Sequence, residues 1–283
     1  MVAPISIEER DLANQHLDRS ISFALTGKID QAISEAKKAI EIDPDFAQAF
    51  NKLGDYYLKK GAISEAVDVY RKSIVLNPEN ENSHFDLGRS LAMLGKFEEA
   101  LESLNKALDL DPTHGETYSH TGLVYIQLGE NERAITNLQT ALDKDPENLM
   151  ASYLMAIACK KSGMENQSNK YFKRVIDRYQ HLVESKSRFA EGYYYIGRCH
   201  FYMNDLEKAV QNLEKAVEYD TDQVDFHYSF GMLYSDADAF YALAEAYQSS
   251  GNTGKALENL NKALEIDPKN PKFNDLKNKL GVR

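Results

Sequence analysis

Proline returns every 34 residues. IDPDF, LNPEN, LDPTH and KDPEN place Pro44, Pro78, Pro112 and Pro146 at intervals of 34, and IDPKN repeats the ending at Pro268. A period in this range marks a solenoid, in which each short unit buries its apolar face only by stacking on its neighbours. The 283 residues are too many for one small core, but a stack of repeats needs no second globular domain to account for them.

Other columns keep step with the prolines. Gly54, Gly88 and Gly122 share one column, Gly61, Gly95 and Gly129 another, and Ala66, Ala100 and Ala134 a third. A further small-residue column holds Ala39, Ser73, Ala107 and Ala141. Small residues at helical spacing let two backbones approach, and bulky residues between them, such as Leu53, Tyr57, Tyr70, Leu87, Leu104, Tyr125 and Leu138, fill the space around the contact. Each unit is therefore an αα-hairpin. Helix A carries the first glycine and stops at the second, helix B carries the alanines, and the proline ends helix B and opens the next helix A.

These columns resemble the tetratricopeptide repeat in its 34-residue length, helix A glycine, paired helix B alanines and closing proline. The resemblance covers nearly the whole chain and implies an all-α, right-handed superhelical solenoid spanning 1–283 as one body. The repeats register at 13–46, 47–80, 81–114, 115–148, 149–182, 190–223 and 237–270. Ser6 and Glu9 have the spacing of a capping box that would start a lengthened first helix. Pro271 opens a terminal cap over 271–281.

Three departures carry expectations of their own. Ser20 stands where other units have the helix A glycine, and His16 where a large apolar residue is usual. In the fifth unit Gln180 replaces the proline and an apolar face continues through Leu182 and Val183, so that helix B should extend to about 187, roughly 10 Å longer than the others. The third departure is FHYSFGMLYSDADAFYALAEAYQ, residues 226–248. The copies ALESLNKALDLDP from 100 and ALENLNKALEIDP from 256 lie 156 residues apart rather than a multiple of 34. The long helix absorbs seven of the surplus, which leaves the thirteen residues 224–236. They read as a helix A remnant, an irregular half-repeat whose helix B is absent. One straight helix through both copies would put their faces about 140° out of register. The expectation is two short helices, about 224–235 and 238–250, broken at Ser235 to Asp238, where Ser and Asp suit an N-cap.

Chemistry is hard to find. There is no H-E-x-x-H, no C-x-x-C, no glycine-rich phosphate loop and no G-x-S-x-G, so no enzyme, cofactor or metal is expected. Cys199 and His200 are adjacent, but consecutive helical residues point about 100° apart and share a proton poorly. His16, His84 and His227 share a column with Phe50, Tyr118, Tyr193 and Phe240, which reads as packing rather than metal ligation. Cys159 and Cys199 read as reduced, buried thiols. With 33 basic against 44 acidic residues the formal charge is -11, and no basic run could track phosphates, so nucleic acid is not an expected partner. MVAPISIEERD has neither a basic n-region nor an apolar h-region, and no run approaches the ~18 apolar residues of a spanning helix. A soluble cytoplasmic protein is the expectation, with no membrane partner.

What remains is the groove. The resemblance implies a concave surface lined by helices A, which here gives Asn51, Asp55, Phe85, Arg89, Ser119, Leu123, Ile126, Tyr153, Ile157, Tyr194, Arg198, Phe201, Tyr228, Tyr241 and Glu245. From Tyr153 onward one column is entirely tyrosine. Those rings either pack between adjacent helices A or line the groove, where tyrosine offers contact area and a polar tip. One branch of the family grips a terminal carboxylate with lysine and asparagine on three successive helices A, and that set is missing. The expected partner is a protein or peptide segment, apolar or aromatic, with Arg89 and Arg198 as polar anchors. The alternative is a self-assembling structural protein that oligomerises through 224–250, where a helix A lacking its helix B would leave apolar surface uncovered.

Overall fold

The computed structural model describes residues 5–186, 189–219, 227–229, 232–234 and 236–281. Its contacts form two compact units, Met1–Pro146 and Glu147–Arg283. Both are built of αα-hairpins, and the second also holds a pair of short strands. The first contains α1 (Ile7–Leu25), α2 (Ile29–Ile42), α3 (Ala47–Lys59), α4 (Ile63–Leu76), α5 (Glu81–Met93), α6 (Phe97–Leu110), α7 (Gly115–Gln127) and α8 (Asn131–Lys144). The second contains α9 (Leu149–Lys161), α10 (Glu165–Ser185), α11 (Ala190–Tyr202) and α12 (Leu206–Tyr219), then strands β1 (His227–Ser229) and β2 (Met232–Tyr234). It closes with α13 (Asp236–Ser249), α14 (Thr253–Ile266) and α15 (Pro271–Lys279).

The small-residue columns are where the helices touch. A Cβ on Gly88 would stand 2.7 Å from Leu104 Cγ and 3.0 Å from the Ala100 carbonyl oxygen, so α5 and α6 approach as closely as they do only because no side chain intervenes. Ala66, Ala100 and Ala134 on the opposing helices are fully buried, as are Leu104 and Leu138 beside them. Each such leucine contributes roughly 1.5–3 kcal/mol of burial. Where the column holds serine, the hydroxyl is satisfied: Ser73 donates to the Ala47 carbonyl at 3.0 Å and lies 3.0 Å from Ser83 Oγ. Ser20, in place of the helix A glycine, donates to the Leu17 carbonyl at 2.6 Å and meets the Tyr56 hydroxyl at 3.1 Å.

Helix ends follow their chemistry. Ser6 and Glu9 form the reciprocal capping box that starts α1, with Glu9 N donating to Ser6 Oγ at 3.1 Å and Ser6 N to Glu9 Oε2 at 2.8 Å. Gly95, with φ +73°, ends the α5 turn in the left-handed conformation, and at the matching turn after α11 Asn204 does the same with φ +63°. Helix α10 has 21 residues against 14 in α12. Its added turns bury Tyr179 and Val183, and the Tyr179 ring stacks on Tyr195 of α11 at 5.2 Å.

The expected helix over 224–235 is corrected. Its described residues form two antiparallel strands, with His227 opposite Tyr234, Tyr228 opposite Leu233 and Ser229 opposite Met232. Aromatic and apolar residues around a two-residue connection containing Gly231 suit a hairpin, and an isolated single helix has nothing on which to bury its stripe. The second expected helix is present as α13, which starts at Asp236 inside the expected break. Ser235 and the other residues of 224–226 and 230–231 lie outside the described residues. Helix α13 packs directly on α12, where Val210, Leu213 and Val217 meet Ala242, Leu243, Ala246 and Tyr247. In chain order the strand pair thus falls between a helix B and the next helix A, which pack on each other directly.

Candidate functional site

Each unit presents its own set of helix A residues. In the first unit they come from α3, α5 and α7. Asn51 is buried and donates to Ser83 Oγ at 3.2 Å. Asp55 accepts from Lys52 Nζ at 2.8 Å and from the Tyr70 hydroxyl at 2.8 Å. Arg89, expected as a polar anchor, is only 8% exposed and pairs with Asp86 at 2.7 Å. Its guanidinium also lies over the Phe85 ring, 5.3 Å from the centroid. Phe85 is buried edge-on to His114 and His120, at 5.0 and 5.2 Å. Ser119 and Ile126 are buried, and Leu123 is half-buried.

Burial pushes the Asp86 carboxyl up to about 7, and the Arg89 cation beside it works in the opposite direction. Burial also lowers the His120 pKa, so its ring is a neutral member of the aromatic cluster near pH 7. These residues form an internally neutralised polar seam rather than a row of open charges.

In the second unit the tyrosine column divides. Tyr153 on α9 is 7% exposed and packs edge-on to Phe172, Tyr195 and Tyr202, with centroids 5.3 to 6.5 Å away. Tyr194 on α11 and Tyr241 on α13 are half-buried. Tyr241 stacks on Phe273 at 4.9 Å and donates to Glu245 Oε1 at 3.2 Å. Tyr228 lies on β1 instead of a helix A, which corrects its place in the column; its side chain is outside the described residues. Ile157 and Phe201 are half-buried.

Arg198 joins these elements. It reaches Glu245 Oε2 at 2.7 Å and donates to the Tyr202 hydroxyl at 2.8 Å. The same guanidinium lies 5.0 Å from the Tyr202 centroid and 5.4 Å from that of Phe201. Like Arg89, it is already paired within the fold. Burial raises the phenol pKa of both Tyr194 and Tyr241, so these tyrosines present neutral rings and hydroxyls.

Sequence reasoning passed over Asp86, Tyr195 and Tyr202. Two of them carried a signal: Asp86 is three residues before Arg89 and Tyr202 four after Arg198, the spacings at which helical side chains meet. Tyr195 carried none, because it faces the turns added to α10.

Cys199 is fully buried and burial pushes its thiol up, whereas the His200 ring stands 3.4 Å from Asp205. Both cysteines are free and buried. His16 meets Glu35 at 2.7 Å and His84 meets the Pro78 carbonyl at 3.0 Å; the His227 side chain lies outside the described residues. Among the described residues no three His, Cys, Asp or Glu side chains gather as a metal site, and no helix is long and apolar enough to cross a membrane.

Sequence profiles of the family described as TPR repeat match residues 22–61, 54–95 and 122–163. Those described as tetratricopeptide repeat match 82–114, 190–222 and 237–270. No curated protein matches the sequence. Among solved structures, a tetratricopeptide repeat protein from Parabacteroides merdae is similar with a TM-score of 0.68 at 20% identity, over 95% of this chain and 98% of that one. Cut9, from the hetero-tetramer of the APC/C with Hcn1, has a TM-score of 0.67 at 18% identity, over 92% of this chain and 48% of its own. MamA has a TM-score of 0.53 at 25% identity, over 58% of this chain and 96% of its own.

Proposed function

The chain belongs to the tetratricopeptide repeat family, and on that premise we propose that it is a non-enzymatic scaffold that holds an apolar or aromatic partner segment against the helix A faces. The observation that carries this reading is the pair of half-buried tyrosines, Tyr194 and Tyr241, on α11 and α13 around the Arg198–Glu245 ion pair. An ion pair already closed within the fold has little to offer an incoming charge, whereas the half-buried rings beside it supply contact area. The partner chemistry that fits is therefore aromatic or apolar, extended or helical. Cut9, in its complex with Hcn1, is a structural neighbour that works in an assembly, which agrees with a scaffold role here.

Affinity capture with mass spectrometry, run on wild type and on Tyr194→Ala with Tyr241→Ala, tests the reading. The double variant should lose the captured partners and keep its helical circular dichroism and most of its melting temperature. Loss of the fold would assign both tyrosines to the core and sink the groove assignment. Self-assembly through 224–250 is the second reading: the described part of that segment pairs as strands rather than as a helix, and size exclusion with light scattering at tens of micromolar tests it, a strict monomer counting against it.

A further inference from the structure

Helix α10 differs from the other helices B in charge as well as length. Lys170, Lys173, Arg174, Asp177, Arg178 and His181 are spaced so that they share one face. With Glu147 and Leu149 they line an open groove of about 390 Å³. Four fixed cations oppose the two carboxylates of Asp177 and Glu147, in a chain whose formal charge is -11. A local positive excess on an acidic protein steers acidic partners to that one place. The groove also shows the chemistry it accepts. The Glu147 carboxylate, 68% exposed, stands 3.5 Å from Arg174 Nη2 and 3.7 Å from Arg178 Nη2, longer than a good charged hydrogen bond.

We propose that this face of α10 docks an acidic, extended segment of a partner protein, on a surface separate from the helix A groove. From Lys170 to His181 the helix rises about 16 Å, the length of about five extended residues. Carboxylates on alternate residues of such a segment recur about every 6.6 Å, which matches the roughly one-turn spacing of Lys170, Arg174 and Arg178 along the helix. Arg174 and Arg178 supply planar donors and the lysines supply point charges. Nucleic acid fits less well, because four cations release few counterions against the repulsion of the whole chain.

Fluorescence anisotropy with a labelled hexaglutamate peptide at about 20 mM salt tests this. The wild type should bind it, with affinity falling as salt rises, and should ignore hexaglutamine. Lys173→Glu with Arg178→Glu should weaken binding about ten-fold or more. Both side chains are exposed, so the variant should keep its thermal melt, and Lys170→Ala with Lys173→Ala should give a smaller loss. Tyr194→Ala with Tyr241→Ala should leave hexaglutamate binding unchanged, which separates this surface from the groove. The proposal is overturned by absence of saturable binding, by unchanged affinity in the charge-reversed variant, or by tighter binding of a hexathymidylate strand.

Discussion

The guanidinium of Arg198 on α11 and the carboxylate of Glu245 on α13 meet at 2.7 Å across 47 residues of sequence. The contact ties together two helices A that are separated in the chain by α12 and the strand pair. Both groups are largely withdrawn from water, at 13% and 25% exposure, so the pair is screened less than a surface pair.

Glu245→Ala leaves a largely buried cation with the Tyr202 hydroxyl as its remaining short contact. The expected cost is about 2 kcal/mol, below the range for a fully buried pair. Urea unfolding of Arg198→Ala, Glu245→Ala and the double variant should give a coupling of about 1 kcal/mol or more. Additive effects would show the pair to be incidental.

Two glycines on neighbouring columns should respond oppositely to asparagine. Gly88→Ala drives a methyl into Leu104 and the Ala100 carbonyl, at about 1–3 kcal/mol, and a larger side chain there should be worse. At Gly95 the Cβ meets open space and only φ +73° resists it. Gly95→Ala should cost about 1 kcal/mol and Gly95→Asn much less, because Asn204 already holds that conformation at the end of α11. Urea midpoints of the variants check both statements.

Asp86 should make stability depend on pH in the direction opposite to an ordinary ion-paired carboxylate. Its folded pKa is raised to about 7 from 3.8, so the folded chain binds the proton more tightly than the unfolded one. The stability contributed by protonation is fully present below about pH 4 and is lost as pH rises to about 7. The difference in urea midpoint between wild type and Asp86→Asn should therefore change across that window and level off above it. A difference that is flat from pH 4 to 7 would remove Asp86 as the source.

Both thiols should be silent until the chain opens. Cys159 and Cys199 are fully buried, and burial raises the pKa of each, so little thiolate forms and none is accessible. Ellman's reagent should titrate close to zero thiols in the native protein at pH 8 and two in denaturant. Rapid labelling of either in the native state would place it in a region that opens locally.

Much of the architecture was legible because its causes are local and repeated. The glycine and alanine columns mark where two backbones must approach, Ser6 with Glu9 marks a helix start, and the apolar face running past Gln180 marks the longer α10. Those are properties of spacing, and spacing is visible in one dimension. The candidate site was legible only as a set of columns. Tyr153 and Tyr194 occupy equivalent positions in the repeat, yet one is packed among Phe172, Tyr195 and Tyr202 while the other remains half-buried.

By itself the amino-acid sequence determined the repeat, its hairpins and their ends, since each of these depends on side-chain type at fixed intervals, and the acidic balance of the chain, which depends on composition alone. Tertiary structure alone decided that residues near 230 pair as strands while α13 docks on α12. It also decided that Arg89 and Arg198 are spent on Asp86 and Glu245, and which tyrosines are buried and which half-buried. Those outcomes depend on what each side chain meets from another helix, and a period of 34 does not encode that neighbour.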